Sequence, residues 1–147
     1  MTSVFPPTYL LLALIAMVPL HLLWPIRDFL DVPLNLVGLA PLALGAALNV
    51  AADRLFQRHG TTVRPFARSS ALVTTFPFSI SRHPMYLGLT LILLGTALLF
   101  GSASVFLPVV VFAALMDRVF IPREEQMLAE QFGDDWSAYR ARVRRWI

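Results

Sequence analysis

The chain contains no cysteine and no lysine. Without thiols there is no disulfide framework, no thiolate metal site and no cysteine nucleophile. Without lysine, all twelve basic residues are arginine. The high pI therefore comes from guanidinium groups, which suit anionic headgroups and carboxylates. Charge as a whole is scarce, at 14% of residues against 57% hydrophobic, and mean hydropathy is +0.68. That balance excludes the ordinary soluble class and makes nucleic acid a poor expectation as a partner. No Gly-x-Gly-x-x-Gly stretch occurs, so the phosphate loop of soluble dinucleotide-type folds is missing. Residues 1–7 carry no basic side chain ahead of the first apolar run; they lack the charged leader of a cleavable signal peptide, and that run is expected to be a retained span.

What the chain has instead is apolar runs, at 9–24, 32–52, 85–100 and 105–120. The expected fold is all-α: one polytopic membrane domain over 1–147 with about four transmembrane helices, a polar loop at 53–84 and a polar tail at 121–147. The last two runs reach roughly 24 Å each at the helical rise per residue and are separated only by Gly101-Ser102-Ala103-Ser104, which predicts a short hairpin. So short a hairpin buries little of itself, which favours a homo-oligomer. Pro41 and Pro108 stand inside or at the edge of spans and are candidate kinks. Arg27 alone lies in the first connection, whereas the other eleven arginines fall on the opposite side of a four-span arrangement. The positive-inside rule makes that side cytoplasmic, with both termini there, as in a multi-pass protein of the cytoplasmic (inner) membrane.

The tail reads as two helices. Pro122 opens the first, with Glu124 and Glu125 favourably placed in its first turn, and Phe132-Gly133 stops it. Asp134 and Asp135 offer caps for the second, in which Trp136, Tyr139, Val143 and Trp146 recur at helical spacing. That amphipathic helix is expected on the membrane surface, its aromatics in the interfacial belt and its arginines at lipid headgroups.

Two polar clusters flank the hairpin: Ser81-Arg82-His83-Pro84-Met85-Tyr86-Leu87-Gly88 before it and Pro122-Arg123-Glu124-Glu125 after it. Because a hairpin brings its ends together, an imidazole, a phenol, a guanidinium and two carboxylates are placed to converge on one ligand. Arginine and histidine at a helix mouth also serve as interfacial anchors, and first-turn acids also serve the helix dipole.

These stretches resemble the isoprenylcysteine carboxyl methyltransferase-like family of membrane methyltransferases, which groups with the phospholipid methyltransferases. The resemblance runs from Gly60-Thr61-Thr62-Val63-Arg64-Pro65 through Leu72-Val73-Thr74-Thr75 and the 82–88 stretch to Arg123-Glu124-Glu125 and Phe132-Gly133-Asp134-Asp135-Trp136-Ser137-Ala138-Tyr139. It implies S-adenosylmethionine as cofactor, bound by Arg82, His83, Pro84, Tyr86, Leu87, Gly88, Glu124 and Glu125. The cofactor's ammonium and carboxylate want opposite partners, which Glu124 or Glu125 and Arg82 or His83 offer. Tyr86 adds an aromatic face or a hydroxyl, and Gly88 permits close approach of backbone or ligand. The chain departs from the family pattern at Phe76, where glycine is usual, and at Ser79, where a basic residue is common.

Methyl transfer from a sulfonium needs in-line placement and exclusion of water more than covalent help. A lipophilic acceptor entering from the membrane lipids is expected: a prenylcysteine carboxylate, a lipid or a small amine. Arg64 would orient a carboxylate, and Asp53 or His59 would take a proton from an amine or hydroxyl. Two other readings remain open, a reductase using NADPH, since membrane sterol reductases share this Arg-His-Pro-x-Tyr and acidic-pair region, and a non-catalytic membrane scaffold.

Overall fold

A computed structural model describes residues 5–58 and 72–147. Among these the protein is helical, with α1 at Pro6–Leu23, α2 at Leu39–Arg58, α3 at Pro84–Phe100, α4 at Phe106–Leu115 and α5 at Ile121–Arg142. Pro6 and Pro7 start α1 and Pro84 starts α3, positions where the missing N–H costs nothing. A 3₁₀ turn, Leu34–Gly38, leads into α2, and another, Ala103–Val105, leads into α4. Among the described residues, three helical stretches are long and apolar enough to cross a membrane, Pro6–Leu23, Leu34–Arg58 and Ala103–Arg142, while α3 is apolar but 17 residues long. Pro41 and Pro108 each stand third in their α-helices, just after the 3₁₀ turns that lead into them.

The seam between α2 and α3 is made by paired glycines. Gly45 meets Gly88 and, two turns away, Gly38 meets Gly95; a Cβ at Gly45 or at Gly38 would overlap the facing carbonyl oxygen. Backbones this close leave no room for side chains between them, the way small residues join membrane helices. α1 packs on the other flank, with Met17 fully buried among Leu93, Ala97, Val105, Val109 and Phe112. At the far end the loop after α1 clasps the hairpin turn: Phe29 N–H donates to the Gly101 carbonyl (3.0 Å), Ala103 N–H to the Arg27 carbonyl (2.9 Å), and His21 Nδ1 lies 2.9 Å from Ser102 Oγ. Gly101 caps α3 at φ 74°, and a Cβ there would strike the Leu30 carbonyl.

The tail corrects two expectations. Pro122 opens no separate helix: α4 passes through a π-helical turn, Met116–Phe120, directly into α5. A proline at 122 cannot donate to the Arg118 carbonyl and its ring presses on that group, which the wider turn accommodates. Gly133, at φ 50° and ψ −115°, does break the helix as expected. The second correction concerns the aromatics after that break. Trp136 and Tyr139 are 2% and 3% exposed, packed with Ala52, Val73 and Phe78 instead of facing lipid. The Tyr139 hydroxyl donates to the Phe78 carbonyl at 2.7 Å.

Candidate functional site

The hairpin brings its two polar clusters into contact. The Arg82 guanidinium donates to Glu125 Oε1 from Nε (3.1 Å) and Nη2 (2.8 Å), and His83 Nε2 lies 3.4 Å from the same oxygen. On its other side, His83 Nδ1 stands 3.6 Å from Glu124 Oε2, an ion-pair separation. The imidazole is thus held between two carboxylates, 4% exposed, with its ring stacked on Tyr86 at a centroid distance of 5.8 Å. Burial by itself lowers the His83 pKa, but the facing carboxylates of Glu124 and Glu125 outweigh it and hold the pKa above its ordinary value of 6.5. Glu125 shows the mirror case. Burial would raise its carboxyl, yet His83, Arg145 and Arg82 together hold it far below the carboxylate range.

The sequence places Arg82 among ligand contacts; the structure gives it an internal task. Its Nη1 donates to the carbonyls of Arg140 (3.1 Å) and Val143 (2.9 Å), and its other two nitrogens are spent on Glu125. The guanidinium also lies 6.0 Å from the Trp136 ring centroid. With four of its five N–H donors committed and a side chain 8% exposed, Arg82 keeps one Nη2 N–H for a ligand carboxylate. Glu125 is equally committed, since Arg145 Nη2 takes Oε2 at 2.8 Å. Glu124 differs: its side chain is 34% exposed, and its Oε2, 3.6 Å from His83 Nδ1, has no partner within hydrogen-bond distance among the described residues.

The remaining predicted residues separate. Pro84 starts α3 and is buried, and Leu87 N–H donates to the His83 carbonyl at 3.1 Å, so both serve the helix start. Gly88 faces α2: a Cβ there would overlap Asn49 and the Gly45 carbonyl. Of the two close approaches expected of it, by backbone or by ligand, the structure shows the one between helices. Asp53 lies in the last turns of α2, where Gln57 Nε2 donates to its Oδ2 at 2.7 Å, and no described hydrogen bond or ion pair joins it to the Arg82–Glu125 cluster. His59 and Arg64 fall outside the described residues.

Three residues that sequence reading left out complete the cluster. Arg145 bridges Glu125 and Asp117, with Nη1 3.2 Å from Asp117 Oδ1. Trp146 Nε1 donates to the same Asp117 oxygen at 2.9 Å. The available signal was Asp117 itself, an acid at the end of an apolar span, where an ionisable group needs a partner. With His83 protonated, the cluster holds three cations, Arg82, His83 and Arg145, against three anions, Asp117, Glu124 and Glu125. Such an arrangement is internally balanced and offers one under-used acid to a cationic ligand.

Comparison with known proteins agrees with the membrane setting. A family model described as phospholipid methyltransferase matches residues 34–135. An uncharacterized protein of Haemophilus influenzae is 41% identical over 63 residues, which are 43% of this chain and 100% of that protein.

Proposed function

The chain belongs to the phospholipid methyltransferase family, and we propose that it moves a methyl group from S-adenosylmethionine to a lipophilic acceptor at the cytoplasmic face of the inner membrane. The observation that carries this reading is Glu124, whose side chain is 34% exposed beside the buried His83 and Tyr86 at the polar end of α3 and whose Oε2 has only the 3.6 Å contact to His83 Nδ1. A carboxylate held by so long a contact is under-satisfied, and a ligand ammonium adds a charge-assisted hydrogen bond. The donor set therefore fits this cofactor, which when bound supplies an electrophilic methyl group on a sulfonium.

The chain's own residues bind and orient. Glu124 meets the ammonium, and the Tyr86 ring, stacked on His83, offers its face to positive charge. Arg82, Glu125 and Arg145 hold the α3 and α5 ends at fixed separation, which sets the placement that methyl transfer depends on. Exposed leucines and valines on α1, α2 and α4, among them Leu11, Leu22, Leu44 and Val110, suit contact with acyl chains, so an apolar acceptor reaches the site laterally and brings little water. A prenylcysteine-type carboxylate, a lipid and a small amine all fit. Arg64 for orienting a carboxylate, and Asp53 or His59 for accepting a proton, belong to this proposal.

Calorimetry on the detergent-purified protein tests it. Binding heat with S-adenosylmethionine or S-adenosylhomocysteine, and none with NADPH, is expected. The opposite pattern would assign the chain to reduction, and silence toward all three from folded protein would leave a scaffold.

A further inference from the structure

After α5 the backbone turns extended at Val143 (φ −118°, ψ 130°) and folds back across the site. Arg82 N–H donates to the Arg144 carbonyl at 3.0 Å, and Ser81 Oγ to the Arg145 carbonyl at 3.1 Å. This pins residues 143–146 as a strap beside the Ser81-Arg82-His83 stretch. From the strap, the Arg145 guanidinium enters between two acids on different turns, Glu125 of α5 and Asp117 of the π-helical turn. Trp146 braces Asp117 from beside it.

A carboxylate has two oxygens to offer. Arg82 and His83 take Oε1 of Glu125, while Arg145 takes Oε2 at 2.8 Å and also reaches Oε1 from Nε at 3.4 Å. Held by three cations in this way, Glu125 offers a ligand cation far less than Glu124 does, and the choice between the two adjacent acids is made by the strap. Resting on the cofactor reading above, we infer that Arg145 is a positioning residue: it fixes Glu125 opposite Arg82, so that Glu124 alone meets the cationic group of the ligand, and Asp117 in turn fixes Arg145. Tail arginines at headgroups would have no such division of labour. The side chain of Arg144, one residue earlier, is exposed and makes no described ion pair, so the two neighbours separate site positioning from surface charge.

The test uses the full chain in detergent micelles with S-adenosylhomocysteine as probe. Arg145→Ala weakens binding about tenfold or more, as expected for loss of a charge-assisted contact. Arg145→Lys recovers part of it, since an ammonium reaches one acid but not both with fixed geometry. Arg144→Ala, which removes the same charge, leaves the affinity unchanged. Equal loss in the two alanine variants, or loss in neither, overturns the inference. Should Arg145→Ala fail to fold, Asp117→Asn decides: weakened binding supports the inference and unchanged binding overturns it. A wild-type protein that binds no probe removes the cofactor reading without touching the strap, which is then read by NMR titration of the His83 imidazole. His83 faces Glu124 and Glu125, with Arg82 and Tyr86 beside it; withdrawing Arg145 leaves Glu125 less neutralised, so the His83 midpoint rises in Arg145→Ala and not in Arg144→Ala. An unmoved midpoint overturns the assignment.

Discussion

Arg82 and Glu125, 43 residues apart in sequence, form a two-nitrogen ion pair whose side chains are 8% and 7% exposed. Removing one member of a buried pair leaves the other charged and unmatched, at about 3–5 kcal/mol. Glu125→Gln is therefore expected to lower unfolding stability by a figure of this order, read by denaturant titration in micelles, and Arg82→Met by no less.

Glu124 carries the opposite expectation. Its side chain is a third exposed and its contact to His83 is long, at 3.6 Å, so Glu124→Gln is expected to cost clearly less stability than Glu125→Gln while abolishing binding of S-adenosylhomocysteine. Loss of stability equal to that of Glu125→Gln would refute the separation of the two acids.

Two pH limits follow from the shifted groups. Glu125 has a folded pKa held below its ordinary 4.5, so its contribution is full above that value and is lost as pH falls through the folded pKa. His83 has a folded pKa above 6.5; its contribution is full below 6.5 and is lost as pH rises through the folded pKa. Stability is thus expected to be greatest between about 4.5 and 6.5, and His83→Asn should flatten the alkaline limb of the melting-temperature profile while the acid limb persists.

The α2–α3 seam predicts a size-dependent penalty. Gly45→Ala sets a methyl group against the Gly88 carbonyl, and overpacking of this kind costs about 1–3 kcal/mol. Gly45→Leu should cost more and spread the helices, measurable as increased distance between spin labels on the two.

Tyr139→Phe removes the donor to the buried Phe78 carbonyl and should cost about 1–3 kcal/mol without changing ligand affinity, which a melt and a binding isotherm together would check.

Sequence pattern makes the apolar helices, the Gly133 break and the meeting of residues 82–83 with 124–125 legible, because hydropathy, glycine placement and hairpin topology are local or nearly so. It does not say what each charge faces. Arg82 and Glu125 look like ligand contacts because both are polar at a helix mouth, and only the fold turns them toward each other. Trp136 and Tyr139 have the spacing of an amphipathic face, and periodicity cannot tell a lipid cover from a protein one. Pro122 signals a helix start, yet a π-helical turn lets α4 run past it. Arg145 was hidden for the simplest reason: its partners, Asp117 and Glu125, lie 28 and 20 residues earlier.

The glycine contacts between α2 and α3 have a bearing on traffic. Two backbones touching at Gly45 and Gly88, and again at Gly38 and Gly95, amount to a shut door for hydrocarbon. On the proposed reading, an oily acceptor comes around another flank of α3.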